Sequence, residues 1–340
     1  MMINTLLYII NITFLFALFL SYGAPYFSPD TILWPIAFLG LVYPLLLLIN
    51  SLFLIYWLIV FKKHFWTNLI ILAIGFGYIK NNVNFNKSEN LEGQRFSIMS
   101  FNVRLFNAYN WIKDDDTKNN IINFINNTSS GIVCFQEFYA PEKLPQFNYN
   151  YSHIGLQNDR KSWRMATFSK YPIIKKGTVS VNGETKNNVC IYSDIVIELD
   201  TIRVYNIHLA SNWFQKQDYE FLDNPSVEGA ENIIERLKRS YHKRANQVVA
   251  IKKHINTSVF PVIVCGDFND TPNSYAYKVL SEGLFDSFTN SGQGLGSTYN
   301  GKVPGLRIDY ILHSPDLEIV NFKVHNKNLS DHFPIQSGFN

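Results

Sequence analysis

The sequence predicts an α/β domain of packed sheets with helices outside, preceded by a region suited to a bilayer. Three observations lead there. The 340 residues are 47% hydrophobic and 17% charged, which excludes intrinsic disorder as a global description, and the length allows two folding units. Residues 1–80 carry only four charged side chains, Asp30, Lys62, Lys63 and Lys80, so the two parts of the chain face different solvents. Beyond them, short β-rich runs recur between stretches of helical periodicity, a pattern that builds packed sheets with helices on their outer faces.

A helix needs about 20 predominantly apolar residues to span the hydrocarbon core, and residues 3–20, 32–61 and 65–79 approach or exceed that length. About three transmembrane helices are therefore expected, making this an integral membrane protein that meets the lipid bilayer through residues 1–80. Residues 32–61 form an uncharged run interrupted by Pro44, Asn50 and Ser51, which a tilted helix accommodates. Residues 1–20 also suit a signal peptide ending near Gly23-Ala24. No Lys or Arg precedes the apolar run, however, and another membrane segment follows, so a retained helix is expected. Positive loops stay cytoplasmic, which places Lys62-Lys63-His64 inside, the 21–31 loop outside, and everything after Lys80 on the extracytoplasmic side.

Residues 81–93 are polar and Asn-rich and read as a linker, with the second domain running from residue 94 to 340. Strands are expected at 96–101, 132–135, 165–169, 188–198, 202–207, 261–265, 308–312 and 319–324, and helices at 117–127, 229–256 and 274–281. The polar segment 212–229 holds Trp213, Phe214, Tyr219 and Phe221 and is either a functional loop or a disordered insertion. Cys134, Cys190 and Cys265 all lie in apolar runs, where a free thiol is a small buried hydrophobe; neither a disulfide framework nor a CxxC metal motif is present. Residues 81–340 carry 27 basic and 26 acidic side chains, a balance that disfavours a broad basic face for nucleic acid. The sequence points to no protein partner.

The chemistry sits at strand ends. The apolar run Val262-Ile263-Val264-Cys265 stops at Gly266 and presents Asp267 and Asn269, two residues apart and so on one side of a strand. A carboxylate there can take a proton from water or ligate a hard cation; the bland alternative is an Asx-rich turn. Near the far end of the chain, Asp331 and His332 precede a short apolar strand, and a His oriented by a carboxylate holds a proton near neutrality. Glu137 follows Ile132-Val133-Cys134-Phe135-Gln136, and Asp309 lies within Leu306-Arg307-Ile308-Asp309-Tyr310; charges in strand-like runs are costly unless paired or metal-bound. Asn102 and His208 close two further runs.

Together the elements Ser100-Phe101-Asn102-Val103, Gln136-Glu137, Ile207-His208-Leu209, Gly266-Asp267-Phe268-Asn269, Ile308-Asp309-Tyr310-Ile311 and Ser330-Asp331-His332 resemble, in order, the motifs of the endonuclease/exonuclease/phosphatase superfamily of DNase I-like phosphoesterases, across about residues 95–340. The resemblance implies a four-layer α-β-β-α sandwich of two mixed sheets with a metal site at one end. It implies that Glu137 is the principal ligand of Mg²⁺, or of Mn²⁺, with Asn102 beside it and Asp331 joining; oxygen donors suit such cations. Asp267 resembles the residue that orients or deprotonates the attacking water, Asn269 the donor to phosphate, and His332, oriented by Asp309, the group that stabilises phosphoryl oxygens.

His208 resembles the second histidine of the DNase I and sphingomyelinase branches, where it assists the leaving oxygen. Arg104 stands where abasic-site enzymes carry an acidic metal-site residue, a departure that argues against a repair function. Arg164 precedes the Ser169-Lys170-Tyr171-Pro172-Ile173 turn and is either a substrate contact or a structural residue. The expected activity is membrane-anchored hydrolysis of a phosphoester, with nucleic acid and phospholipid head groups as the leading substrate classes. The rival expectation is a non-catalytic membrane receptor or scaffold that retains the fold.

Overall fold

The computed structural model describes all residues except Met1, 86–92, 142, 156–162, 185–186, 213–225 and 302–304. Most of the expected linker 81–93 and of the polar segment 212–229, including Trp213, Phe214, Tyr219 and Phe221, lies outside the described residues. The chain divides into two compact units, one formed by Met1–Val83, Ser211–Ala245 and Asp270–Lys278, the other by Asn84–Ala210, Asn246–Asn269 and Val279–Asn340.

The first unit contains α1 (Met2–Ser21), α2 (Trp34–Leu41), α3 (Tyr43–Ile59), α4 (His64–Ile74) and α5 (Phe76–Asn82). Only α1 is by itself long and apolar enough to cross a membrane, with a mean hydropathy of 1.8 over Asn4–Ser21, so the expectation of about three such helices is corrected. Residues 32–61 are not one helix: α2 and α3 bend by 66° at their junction. Pro44 is the second residue of α3, and it lacks the N–H that would bond the Gly40 carbonyl four residues back, while its ring crowds that carbonyl. Residues 65–79 are split at Gly75, which leaves α4 with 11 residues, about 16 Å of helix and half the hydrocarbon thickness. The break has a packing reason, since a Cβ at Gly75 would lie 2.1 Å from the Tyr22 hydroxyl oxygen.

Beside an apolar cluster of Leu18, Tyr43, Leu46 and Leu72, this unit buries a small amide network, and its outer surface is apolar. Asn11, Asn50 and Asn68 are all fully buried. Asn68 Nδ2 donates to Asn11 Oδ1 at 2.8 Å, Asn11 Nδ2 to Asn68 Oδ1 at 3.0 Å, and Trp57 Nε1 to Asn11 Oδ1 at 2.8 Å. Phe16, Leu45, Ile55 and Ile70 face outward and are exposed.

The second unit begins with β1 (Asn84–Phe85), β2 (Phe96–Asn102), α6 (Thr117–Asn126), β3 (Ile132–Phe138), β4 (Tyr151–Ile154), β5 (Arg164–Ser169), β6 (Ile173–Thr178), β7 (Cys190–Ile197) and β8 (Asp200–His208). Helix α7 (Val227–Ile255) follows, then β9 (Val262–Asp267), α8 (Tyr275–Ser281), β10 (Phe285–Asp286), α9 (Ser287–Ser291), β11 (Gln293–Gly294), β12 (Asp309–His313), β13 (Ile319–Val324) and β14 (Ile335–Phe339); α7 and α8 each contribute residues to both units.

Two six-stranded sheets have the orders β13-β14-β2-β3-β5-β4 and β10-β12-β9-β8-β7-β6. Both are mixed, because β2 and β3 run parallel in one, β8 and β9 run parallel in the other, and their remaining pairs are antiparallel. Their facing sides share one core, in which Ile98, Ile132 and Cys134 of the first sheet join Ile202, Val204, Ile263, Cys265 and Ile311 of the second. The outer side of the first sheet packs Val133 and Phe135 with Ile121 and Ile125 of α6. On the second sheet, the Tyr205 hydroxyl meets His254 Nδ1 of α7 at 2.9 Å. The layers are therefore those of the expected α-β-β-α sandwich, and all three cysteines are free and buried.

Candidate active site

The two-residue alternation of strands decides which polar groups meet between the sheets. Ile98 faces the inter-sheet core, so Asn102, two steps of the alternation further along β2, faces the same way at the strand end. By the same parity Val204 leads to His208, Cys265 to Asp267, and Ile311 back to Asp309. Register completes the set, because Asp267 is paired with His208 on one side and with Asp309 on the other. Glu137 breaks parity, since Val133 and Phe135 face the outer layer. Its φ of 52° and a register shift between Phe135 and Phe138 form a bulge of the kind that re-aims a side chain. Glu137 Oε1 thereby lies 3.5 Å from Asn102 Nδ2 and 3.7 Å from His208 Nε2.

A hydrogen-bonded layer supports these groups from below. Gln136 Nε2 donates to Asn206 Oδ1 at 2.8 Å and to Ser100 Oγ at 3.1 Å, while Asn206 Nδ2 donates to the carbonyls of Phe135 and Ala166, each at 3.1 Å. Four strands of the two sheets, β2, β3, β5 and β8, are thus tied together directly beneath the site.

Asp267 and Asp309 are buried like charges on adjacent strands, an arrangement that costs stability unless compensated. His332 compensates it: Nδ1 contacts Asp309 Oδ2 at 2.9 Å and Nε2 lies 3.6 Å from Asp267 Oδ2. Burial opposes a charged His332 ring, but the Asp309 and Asp267 carboxylates outweigh it and hold the pKa well above the ordinary value. Burial and, more weakly, Asp309 push Asp267 upward against the pull of His332, His208 and the 3.0 Å hydrogen bond from Asn102 Nδ2. His208 goes the other way, since burial lowers its pKa and keeps the ring neutral. Both of its buried nitrogens lack a hydrogen-bond partner among the described residues.

The folded-state pKa of His332 exceeds its unfolded value of about 6.5, so the stability it contributes is fully present below that pH and fades as pH climbs through the folded value. The difference in melting temperature between the parent chain and His332→Gln is expected to be widest below about pH 6.5 and to narrow above it, as thermal unfolding across a pH series will read.

The remaining expected residues are placed differently. Asn269, at φ 52°, donates its backbone N–H to Asp267 Oδ1 at 2.8 Å and its Nδ2 to the Leu209 carbonyl at 3.0 Å. Asp331 is ion-paired with Arg104 at 3.2 Å, and the neighbouring Ser330 hydroxyl donates to the Asn102 carbonyl at 2.8 Å. Arg164 is buried at the start of β5, where Nη2 reaches the Ala140 carbonyl at 3.4 Å. Sequence reasoning missed Trp163, whose ring lies edge-on to His208 at 5.2 Å, and Thr298, whose hydroxyl accepts from the backbone N–H groups of Ile308 and Asp309. Trp163 directly precedes Arg164 in the segment leading to the Ser169-Lys170-Tyr171-Pro172-Ile173 turn, whereas Thr298 lies in no motif and only the fold brings it here.

The donor set fits a hard cation. Glu137, Asn102 and Asp331 offer oxygen atoms, and burial together with Asp331 raises the Glu137 carboxyl above its ordinary range, a penalty that a bound cation would relieve. Asp267, Asp309 and His332 also bring ligand-capable atoms within 4.8 Å of one another. Within this trio His332 Nδ1 is already taken up by Asp309 Oδ2 at 2.9 Å.

The model of the Endonuclease/Exonuclease/phosphatase family matches residues 99–332, and that of a domain of unknown function matches residues 4–82. No curated protein matches the chain. Among solved structures, a functionally unknown conserved protein from Enterococcus faecalis V583 is 16% identical with a TM-score of 0.55, covering 72% of this chain and 99% of that one. A 3′-5′ exonuclease from Neisseria meningitidis is 15% identical with a TM-score of 0.52, covering 72% and 100%. A mannosyl-6-phosphatase from Bacteroides thetaiotaomicron is 16% identical with a TM-score of 0.53, covering 72% and 99%. At these identities the likeness is one of fold.

Proposed function

Since the chain belongs to the endonuclease/exonuclease/phosphatase family, we propose that it is a divalent-metal-dependent phosphoesterase that hydrolyses its substrate by attack of an activated water. The observation that carries this reading is the row His208, Asp267 and Asp309 on adjacent strands, with His332 held between the two acids. Such a row offers a proton acceptor and a fixed cation side by side in a buried setting, which is what attack on a phosphate requires.

Glu137, Asn102 and Asp331 would hold Mg²⁺ or Mn²⁺, which when bound neutralises phosphate oxygens and so lowers the cost of charge build-up. Asp267 orients the water and takes its proton, with Asn102 Nδ2 fixing the carboxylate. His332 donates to a phosphoryl oxygen while Asp309 keeps its ring in place. Asn269, with one Nδ2 hydrogen on Leu209, offers the other to the phosphate. Neutral His208 gives a hydrogen bond to the leaving oxygen.

Nucleic acid and phospholipid head groups remain the substrate classes of this proposal. We place the enzyme at a membrane, anchored through α1 and the outward apolar side chains of the first unit, because buried amides that bond one another beneath an apolar exterior suit a lipid surrounding. The extracytoplasmic side expected from Lys62-Lys63 requires a further crossing after that turn, and α4, with 11 residues, is too short to make it alone, so the side of the catalytic unit is left out of this proposal.

The test is hydrolysis by the full chain in detergent across plasmid DNA, RNA, phospholipid vesicles and a generic phosphodiester. Cleavage is expected with Mg²⁺ or Mn²⁺ and is expected to vanish with EDTA. Inertness on every substrate with either metal would favour the receptor or scaffold instead.

A further inference from the structure

Beyond Asn102, where β2 ends, the chain takes an unusual path. Arg104, Leu105, Phe106 and Asn107 have φ of 41°, 55°, 55° and 59°, four consecutive left-handed residues with none of them glycine. Conformations of this kind persist only where surrounding contacts enforce them. Here the buried Phe106 ring packs on Phe135 and Phe138. Asn107 Nδ2 donates to the Ile112 carbonyl at 2.8 Å and its Oδ1 accepts from the Ile112 N–H at 2.9 Å. The Arg104 N–H donates to Asn102 Oδ1 at 3.0 Å, joining the turn to the site.

The turn delivers one side chain to the rim. Arg104 Nε lies 3.2 Å from Asp331 Oδ2, and the guanidinium carbon lies 4.4 Å over the ring of Trp111. Trp111 meets Tyr109 edge-on, and both rings are exposed. The Arg104 side chain is 32% exposed, and its Nη groups have no hydrogen-bond partner among the described residues. Among those residues it is also the one permanent cation ion-paired to a carboxylate of the candidate site. Its charge reaches inward, because it helps to hold down the Glu137 carboxyl against burial.

We infer that Arg104, braced by Asp331 and Trp111, is a specificity-determining residue that reads the second negative charge of a phosphate monoester. This rests on the phosphoesterase reading and adds the substrate class. A diester carries one negative charge. A monoester is close to doubly charged near neutral pH, and its extra oxygen has no substituent, so it can approach a guanidinium fork that engages phosphate through two parallel N–H groups. In a diester the corresponding oxygen bears a substituent and cannot take both N–H groups of that fork.

The experiment compares 4-nitrophenyl phosphate with bis(4-nitrophenyl) phosphate, a monoester and a diester with one leaving group, on the full chain in detergent with Mg²⁺. Arg104→Gln is expected to lower kcat/KM for the monoester by about 10- to 100-fold and to lower the monoester-to-diester ratio at least about tenfold. Arg104→Lys, which keeps the charge and loses the fork, is expected to fall between. Calorimetric binding of inorganic phosphate is expected to weaken in the same order. Equal losses on both esters, or phosphate affinity unchanged in Arg104→Gln, would overturn the inference. Hydrolysis of neither ester by the parent chain would instead sink the phosphoesterase reading, and phosphate binding alone would then decide the role of Arg104.

Discussion

Asp267→Asn is expected to cut kcat by about 10³- to 10⁴-fold, the upper range for losing a positioned general base, without lowering the melting temperature. The substitution keeps size and shape on a central strand and removes one of two facing acids. The remaining Asp309 still holds His332 through Nδ1 at 2.9 Å. Stability is therefore expected to be unchanged or higher, since a buried carboxylate lifted by its neighbours is itself a cost.

The pH dependence separates this role from a purely structural one. Asp267 must be ionised to accept a proton, and its pKa is raised by burial first and by Asp309 second, so the acid limb of kcat/KM should lie above the ordinary carboxylate range. His332 must be protonated, and its pKa is raised by Asp309 and Asp267 against burial, so the alkaline limb should lie above the ordinary imidazole value. A pH–rate profile of the parent chain should be bell-shaped between those limits, and the residual rate of Asp267→Asn should lack the acid limb. Near-parent turnover in that variant would remove Asp267 from the mechanism.

The largest effect on folding is expected from Gly266→Ala. Gly266 has φ 144°, and a Cβ there would lie 1.9 Å from the Ile207 backbone oxygen, across the parallel pairing of β8 with β9. The obstacle is backbone in a central strand, so no side chain can swing aside. The cost should exceed about 4–5 kcal/mol, the range reached only by severe core lesions, against a total margin of about 5–15 kcal/mol. The variant is expected to accumulate poorly and to show no cooperative unfolding transition by circular dichroism. A melting temperature within a few degrees of the parent would contradict the close approach of the two strands.

The central strands were legible because each carries an apolar run that ends in a polar residue, and the runs around Ile132, Val204, Val264 and Tyr310 all lie in β3, β8, β9 and β12. β4 and β6 were not foreseen. Both lie at sheet edges, and Lys175 and Lys176 of β6 are exposed, so neither strand needs the apolar alternation that sequence reading detects. The order of the site motifs was visible, whereas the aim of Glu137 was not, since it depends on a bulge that parity alone would place on the wrong face. The Arg104 turn was equally hidden: its left-handed backbone comes from tertiary contacts of Phe106 and Asn107 that no local propensity announces. In the first unit, the reading of residues 32–61 took Pro44 as an interruption that a tilted helix absorbs, and hydropathy summed over 65–79 passed over Gly75, whereas the helices break beside both.

The parallel pairing of β8 with β9 also bears on how the fold is reached and what it tolerates. The chain must travel from His208 to Val262 before the two strands can align, so their closure carries a large entropic cost and should come late in folding. That cost grows only with the logarithm of the connecting length, and inserting or removing a dozen residues there would change it by a few tenths of a kcal/mol. The connection between these strands is thus a place where length can vary at little thermodynamic cost, while the register that sets His208 beside Asp267 is left intact.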